Sequence, residues 1–382
     1  MGKRKDNKGR VLKTGEGQRK NGSYYFRYTD IHGKRCIIYD SSLDVLRMKE
    51  TEIQRNIADG IDTTGAEITA IELLKKYITI KQLLSESTRE GYFYTARTLE
   101  KEAFMQKKIC KIKLSDAKAF VIKLSNDGKK YNTIMSYLEK IRPAFQMAVD
   151  DDLIKKNPFR FKLSDVIKND TEDRRPLSEY DKNRLLEFAK DFPCYDEIVI
   201  LLGTGLRVSE LCGLTISDID FTNRKISVNK QLLKNSYGEY RVASPKTKSG
   251  TRYIPMLNDE VVSAFKRVLQ NRIAPRVETM IDGVTGFVFL NSRGKPKVAM
   301  NIQYEVRTLV KHYNESHSVM LPEITPHIFR HTFCTELANR GMNLKSLQYV
   351  LGHNDASTTL NVYAACDYEL AEREFARVLE MG

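Results

Sequence analysis

The last third of the chain contains four residues whose types and spacing suit one chemistry. His327 and Arg330 are three positions apart, His353 follows Arg330 by 23 positions, and Tyr363 follows ten positions later. A further arginine, Arg207, lies upstream at the start of a predicted helix. Arginine side chains hold phosphate oxygens in a bidentate grip, and an ionised tyrosine is a nucleophile. Together these residue types fit a metal-free attack of a phenolate on a phosphodiester.

A phosphodiester is negatively charged, and its oxygens gain charge in the transition state of nucleophilic attack. Metal ions can neutralise this charge, but they need clustered carboxylates, and no Asp/Glu cluster lies near the histidines in the sequence. Arg207 and Arg330 stay charged and can take the place of a metal. We therefore expect no metal ion and no other cofactor.

The choice of the nucleophile depends on position, because the chain contains 19 tyrosines. Tyrosine has a pKa of about 10 and becomes reactive when nearby cations stabilise its phenolate and a base takes its proton. Tyr363 ends the run Ser-Thr-Thr-Leu-Asn-Val-Tyr at a fixed distance after Leu-Gly-His353, which makes it the preferred candidate. Tyr349 and Tyr368 are the alternatives in the same region.

The segment around His327 and Arg330 carries strong helix signals. Thr325 suits the N-cap, Pro326 suits the first helical position, and Gly341 lies beyond the expected end. A spacing of three residues puts His327 and Arg330 on one face of this helix.

Two further residues are expected to support the candidate catalytic residues without taking part in the reaction. His331 lies on the same helix face as His327. Glu210 follows Arg207 by about one helical turn and is expected to be its structural partner.

The charge of the chain favours a polyanionic partner. The 382 residues include 63 Lys+Arg and 49 Asp+Glu, a net charge of +14, and bound phosphates release counterions when such residues neutralise them. Residues 1–35 alone hold eleven basic and three acidic residues, a net charge of +8. Tyrosines are interleaved with these charges, so we interpret the region as a folded nucleic-acid-binding module.

The amino-terminal region, residues 1–63, has strand signals followed by a helix signal. Two runs rich in aromatic and β-branched residues, 23–28 and 34–39, flank a turn-rich link, and 9–13 is expected to add a third strand. Helical spacing then extends over 43–58.

A helical region follows, and a linker ends it. Residues 64–165 show repeated helical apolar spacing that predicts a four-helix bundle, with Ser115 and Asn132 as N-caps. Residues 166–176 lose this spacing and gain charge, as a linker between domains does.

The third unit, residues 177–382, begins with two predicted helices and ends with mostly helices. Between them lie four short predicted strands: 225–229, 240–243, 252–256 and 287–290. The expected fold is multidomain α+β: a small amino-terminal β-sheet with a helix, a helical bundle, and a mainly α catalytic domain with a small antiparallel sheet.

The sequence favours a reduced, cytoplasmic protein. It has no apolar run near the roughly 20 residues that span a bilayer and no apolar segment after its amino-terminal charges. Six cysteines are scattered without a Cys-x-x-Cys motif, which favours neither a zinc site nor a disulfide framework.

The reactive residues and their spacing resemble the tyrosine recombinase (phage integrase) family, over about 177–375. The matching motifs are Thr-Gly-Leu-Arg207, His327-x-x-Arg330, Leu-Gly-His353 and Tyr363. The resemblance implies that both arginines grip the scissile phosphate and that both histidines are acid/base and hydrogen-bonding partners. It implies that Tyr363 forms a 3′-phosphotyrosyl link. The three-part layout is similar to that of conjugative-transposon integrases.

The family also uses a lysine between two strands as the general acid for the leaving 5′-hydroxyl. The segment 245–255, Pro-Lys-Thr-Lys-Ser-Gly-Thr-Arg-Tyr-Ile-Pro, offers two candidates. Matching the Lys-Thr pair selects Lys246, which we prefer, whereas counting back from the turn selects Lys248.

The resemblance also implies a role for each region and a set of partners. The regions would be an arm-type DNA-binding domain (1–63), a core-binding domain (64–165), a linker (166–176) and a catalytic domain (177–382). We expect a site-specific recombinase that integrates and excises a mobile element through a Holliday junction. Its partners would be double-stranded DNA with core and arm sites, three further copies of itself and a small excision factor. It would act without a membrane, in the bacterial cytoplasm at the nucleoid.

Two alternative functions remain open at this point. A type IB topoisomerase shares the chemistry but relaxes DNA as a monomer, and the separate basic module argues against it. A non-catalytic DNA-binding regulator would have no need of Tyr363.

Overall fold

The structure, a computed structural model, describes residues 4–31, 33–61, 67–83, 85–171, 175–235, 237–245, 248–273 and 275–352. Lys246, His353, Tyr363 and Tyr368 lie outside the described residues, as does the side chain of Lys248. The chain divides into two compact units, Met1–Glu172 and Asp173–Gly382.

The first unit begins with a three-stranded antiparallel sheet and one helix. Strands β1 (Glu16–Gln18), β2 (Tyr24–Thr29) and β3 (Arg35–Asp40) pair in that order, and helix α1 (Leu43–Ala58) follows. Alternate residues of β2 pack with the first turn of α1 in a small core. Its buried members are Tyr24, Phe26, Leu43 and Leu46.

The predicted third strand at 9–13 is wrong. The third strand of this sheet is β1, which pairs with β2, whereas in 9–13 only Val11 forms an isolated bridge, with Lys5. The cause is a local turn: the Asp6 carboxylate accepts hydrogen bonds from the backbone N–H groups of Lys8 and Arg10. Such a turn competes with strand pairing.

A helical bundle forms the rest of the first unit, as predicted. Its helices are α2 (Ala70–Ile80), α3 (Glu86–Leu99), α4 (Leu114–Asn126) and α5 (Tyr131–Asp150). Their apolar stripes meet in a core of residues from 70–163 that is separate from the core of the amino-terminal sheet.

The two predicted N-caps of this bundle are wrong. Helix α4 begins one residue after Lys113, whose N–H donates to the Asp116 carboxylate, so Ser115 lies inside the helix. Helix α5 begins after Lys130, and the carboxylate of distant Asp170 accepts from the first helical N–H.

The described part of the second unit combines short helices and two small sheets. Its helices are α6 (Glu179–Ala189), α7 (Tyr195–Thr204), α8 (Val208–Gly213), α9 (Asp259–Gln270), α10 (Ala299–Ser316), α11 (Pro326–Asn339) and α12 (Leu344–Leu351). One large core, with Phe265, Phe287, Phe289 and Phe329 fully buried, joins these helices to the sheets. None of the described helices is both long and apolar enough to cross a membrane.

The strands of the second unit pair in two antiparallel sheets. They are β4 (Ile219–Asp220), β5 (Lys225–Val228), β6 (Gln231–Lys234), β7 (Tyr240–Ala243) and β8 (Arg252–Pro255). The pairing orders are β4-β5-β8 and β6-β7. The predicted strand at 287–290 is wrong, since Phe287 and Leu290 form only isolated bridges there.

Candidate active site

Arg207 is held at a sharp junction between two helices. Helix α7 ends at Thr204, the next residue Gly205 has a left-handed backbone (φ 63°), and Arg207 is the N-cap residue of α8. A Cβ atom at Gly205 would lie 2.3 Å from Cδ1 of Phe333, so both conformation and space require glycine. The Thr-Gly-Leu-Arg motif is therefore a tight connection that sets the direction of the arginine.

The Arg207 side chain is fixed at two points and is partly accessible. Its Nη1 donates to Glu210 Oε1 at 2.7 Å and its Nη2 to the carbonyl of Gly352 at 3.0 Å, while 34% of the side chain is exposed. Its backbone N–H donates to the other Glu210 oxygen at 2.9 Å. Glu210 is thus the structural partner that the helical spacing predicted.

Arg330 is a nearly buried cation on the inner side of α11. Only 7% of the residue is exposed, and its Nη1 and Nη2 donate to the carbonyls of Gly205 at 2.7 Å and Leu351 at 2.5 Å. Burial, followed by the like charge of Arg207, lowers the pKa of Arg330 to about 9. The guanidinium is still protonated at neutral pH, and its hydrogen-bond partners among the described residues are neutral carbonyls.

The contacts of Arg330 and Arg207 bring three separate parts of the chain together. The junction α7–α8 supplies Arg207 and the Gly205 carbonyl, α11 supplies Arg330, and the end of α12 supplies the carbonyls of Leu351 and Gly352. The next residue along the chain is His353. The motifs Thr-Gly-Leu-Arg207 and His327-x-x-Arg330 therefore both contact the two residues that directly precede His353 in the chain.

The sequence did not single out Arg252, which lies in the middle of this arrangement. Its guanidinium is fully buried and donates to both Glu210 oxygens, at 3.1 and 2.9 Å. Burial alone would raise the pKa of Glu210, but hydrogen bonds and charge from Arg252 and Arg207 hold it below its usual value. In the sequence, the feature that could have indicated a buried role for Arg252 is its position at the start of an apolar predicted strand.

Helices α11 and α12 carry His327, His331 and the alternative tyrosine Tyr349, whereas His353 lies outside the described residues. α11 begins at Pro326 with Thr325 as N-cap, as predicted, so His327 is an exposed residue of its first turn. His331 follows one turn later and is half-buried. Tyr349 is half-exposed on α12, and its hydroxyl accepts a hydrogen bond from the backbone N–H of Tyr253.

The segment that contains the two candidate lysines, here called the lysine segment, connects strands β7 and β8, which belong to different sheets. β7 pairs with β6 and β8 pairs with β5, so the residues between β7 and β8 join the two sheets. The described end of this connection is a 3₁₀ turn, Lys248–Gly250, and the Gly250 carbonyl accepts from Arg252 Nη1 at 3.0 Å. Arg252 thus anchors the carboxyl-terminal end of the lysine segment.

Comparison with known proteins identifies the family. A model described as the phage integrase family matches residues 175–369. The chain belongs to the phage integrase family. A second model, the DNA-binding domain of Tn916 integrase, matches residues 1–57. The chain is a site-specific tyrosine recombinase, an enzyme that cleaves and rejoins DNA, and the predicted multidomain α+β fold is confirmed.

Similar proteins extend over almost the whole chain. It is 43% identical over 394 residues to the transposase from transposon Tn1545 of Streptococcus agalactiae, with 98% of this chain and 96% of the relative covered. It is 42% identical, with the same coverage, to the transposase from transposon Tn916 of Enterococcus faecalis. These likenesses confirm the prediction of a recombinase that integrates and excises a mobile element.

A solved structure of the Tn1549 transposon integrase, in complex with transposon right end DNA, has the same fold. It is 44% identical to this chain, covers 82% of this chain and 100% of the solved chain, and gives a TM-score of 0.76.

Proposed function

We propose that the catalytic set of this recombinase is the one predicted from the sequence: Arg207, Lys246, His327, Arg330, His353 and Tyr363, with Lys248 as the alternative lysine. The observation that carries this proposal is the joint attachment of two arginines to the end of α12. Arg330 binds the carbonyl of Leu351 and Arg207 binds that of Gly352, directly before His353.

The charge of this cluster favours a phosphate as its ligand. Arg330 remains protonated although it is buried, and the carbonyls that it contacts offset only part of its charge. Arg207 contributes a second guanidinium that is one-third exposed. A phosphodiester between them would receive hydrogen bonds that strengthen as its oxygens gain charge during attack.

The proposed reaction conserves the energy of the phosphodiester bond. The Tyr363 oxygen loses its proton to a histidine and forms a bond to phosphorus, while the bond to the 5′-oxygen breaks and Lys246 or Lys248 protonates that oxygen. The result is a 3′-phosphotyrosyl link and a free 5′-hydroxyl. Attack by the 5′-hydroxyl of another strand reverses the step and releases the tyrosine, so no ATP is consumed.

The amino-terminal sheet supports a separate DNA contact. Its outer face carries Tyr25 and Tyr39 as cross-strand partners, and the guanidinium groups of Arg27 and Arg19 each lie 5.0 Å from one of these rings. A strand pair with basic and aromatic side chains fits the major groove of a duplex. We assign to it the arm sites of the element.

The DNA that we propose as substrate is the junction between element and flanking sequence. Two Tn1549 integrase structures contain transposon right end DNA and a circular intermediate DNA, which supports element ends as the substrate class. We further propose the division into 1–63, 64–165, 166–176 and 177–382, action as a homo-tetramer on DNA with an excision factor, and a place at the bacterial nucleoid.

A nicked duplex that carries the element end tests the proposed chemistry. Cleavage next to a nick releases a short strand, which traps the covalent intermediate. The full-length protein should form a protease-sensitive DNA adduct in EDTA as well as in magnesium. An adduct that disappears with EDTA would contradict the metal-free assignment, and relaxation of supercoiled DNA without strand exchange between two sites would favour the topoisomerase alternative.

A further inference from the structure

Three consecutive carbonyl groups at the end of α12 bind three different arginines. The pairs are Val350 with Arg252 at 2.6 Å, Leu351 with Arg330 at 2.5 Å and Gly352 with Arg207 at 3.0 Å. The last carbonyls of a helix have no partner inside the helix and carry partial negative charge. The end of α12 therefore acts as a template that sets the spacing of the three guanidinium groups.

Arg252 is the member of this group that is closed to solvent and to DNA. Its side chain is 0% exposed, against 34% for Arg207. Besides the Val350 carbonyl, it contacts both oxygens of Glu210 and the carbonyl of Gly250. One side chain thus links helix α8, the lysine segment and the end of α12.

The packing around Arg252 leaves little freedom. Gly352 has a left-handed backbone (φ 64°), and a Cβ atom there would lie 2.9 Å from Arg252 Nη1 and 3.0 Å from the Ser249 carbonyl. Gly352 is thus needed both for its conformation and for the close approach of Arg252.

We propose that Arg252 is a positioning residue for strand cleavage, acting on Arg207 through Glu210 and on the approach to His353 through Val350. This inference rests on the proposed function of Arg207. Glu210 receives two hydrogen bonds from Arg252 and two from Arg207, so a displacement of Arg252 moves the carboxylate that orients Arg207.

Lysine cannot reproduce this role. An ammonium group has no planar fork, so it cannot hold both Glu210 oxygens and the Val350 carbonyl in the arginine geometry. Misplacement of a catalytic group by about 1 Å can slow a reaction roughly 100-fold. Arg252→Lys should therefore lower the rate of the chemical step while the duplex is still bound.

The experiment measures single-turnover adduct formation on the nicked duplex, the Kd for that duplex, and thermal unfolding of the full-length protein. Arg252→Lys should cleave roughly 100-fold more slowly than the wild type at saturating protein, with Kd little changed. The matched control is Arg272→Lys. Arg272 is also mostly buried in the second unit, where it donates to the Phe287 carbonyl and to Glu278. It should lose similar stability yet cleave at the wild-type rate.

Two further variants separate positioning from stability. Glu210→Asp keeps the charge but shortens the link, so it should reproduce the slow cleavage even if Arg252→Lys does not fold. In an Arg207→Lys background, Arg252→Lys should add little further loss, because coupled residues are not additive.

The outcomes distinguish this inference from the proposed function. Absence of any adduct with the wild type would overturn the proposed function itself. With an active wild type, the inference fails if Arg252→Lys or Glu210→Asp cleaves as fast as Arg272→Lys. It also fails if the loss is confined to Kd, or if the effects of Arg252→Lys and Arg207→Lys multiply independently.

Discussion

A buried arginine that contacts carbonyl oxygens is a charge arranged to receive an anion. Arg330 is 7% exposed, and it donates hydrogen bonds to the neutral carbonyls of Gly205 and Leu351. Removing such a cation from water costs energy that these carbonyls repay only in part. In the proposed site, a bound phosphate would supply the rest, because it brings the negative charge that the neutral carbonyls lack.

Replacing Arg207 or Arg330 by lysine keeps the positive charge but removes the planar guanidinium group. Arg207→Lys and Arg330→Lys should each lower the cleavage rate by roughly 10²–10³-fold, the scale seen when a preorganised donor is removed from a transition state. The reason is that an ammonium cannot form the paired contacts of a guanidinium. Single-turnover cleavage of the nicked duplex measures the effect. Near-normal rates for both variants would rule out the two-arginine clamp.

The nucleophile requires a more conservative change. Tyr363→Phe removes one hydroxyl group and leaves the ring, so DNA binding should remain close to that of the wild type while the covalent adduct disappears. Tyr349→Phe is the matched control, because among the described residues its hydroxyl accepts a hydrogen bond from the backbone N–H of Tyr253. An adduct formed by Tyr363→Phe and lost in Tyr349→Phe would reassign the nucleophile.

At the scale of the elements, strand β1 and helix α1 bring two buried acids together beside one arginine of the helix. Glu16 and Glu50 are 0% and 4% exposed, and Arg47 pairs with Glu16. Gln54 donates to one Glu50 oxygen. Burial, and then the hydrogen bond and charge of Glu16, raise the pKa of Glu50. An acid with a raised pKa stabilises the folded state fully only below its unfolded pKa, and this stability is lost as the pH rises through the folded value.

Glu50→Gln should therefore stabilise the amino-terminal sheet at pH 8 relative to the wild type, by roughly 1 kcal/mol. At pH 4, where the wild-type carboxyl is protonated, the two proteins should differ little. Hydrogen exchange of the β2 amides in the full-length protein at each pH provides the measurement. Glu52→Gln, an exposed acid on the same helix, is the control, and an equal gain from it would remove the buried pair as the cause.

Elements with strong local signals were predictable from the sequence, and elements fixed by distant partners were not. The strands at 24–29 and 35–40 and the helix at 43–58 were found because apolar periodicity and turn residues act locally. Helix α5 is capped by Asp170, which lies 39 residues after Tyr131. Because N-caps are predicted from residues next to the start of a helix, the sequence indicated Asn132 and not the distant Asp170.

The same distinction applies to the site. Arg207 and its partner Glu210 are one turn apart, so their contact was predictable from helical spacing. Arg252 was missed because Glu210 precedes it by 42 residues and Val350 follows it by 98. The folded chain shows that this charged residue at the start of β8 contacts both Glu210 and the end of α12, two parts of the proposed active site.

At the scale of the whole molecule, the amino-terminal sheet and the helical bundle have separate cores. Leu43 and Leu46 pack with β2, whereas the buried residues of the bundle core lie within 70–163. A protein that lacks 1–63 therefore keeps every buried residue of the bundle and of the second unit. Its loss of function should be confined to what the amino-terminal region itself contacts.

Deletion of 1–63 should abolish binding to the arm sites and impair complete integration, while cleavage of a short core-site duplex remains largely intact. Eleven of the 63 basic residues lie within 1–35, so arm-site binding should weaken steeply with salt as displaced counterions return. Gel shifts of full-length and truncated protein on arm-site and core-site duplexes at two salt concentrations measure both effects. Arg27→Ala should weaken arm-site binding alone, since this residue lies over Tyr25 on the outer face of the sheet. Equal losses on the two duplexes would instead assign the region to assembly of the protein on DNA, because a separate arm contact cannot reduce affinity for a duplex that lacks the arm site.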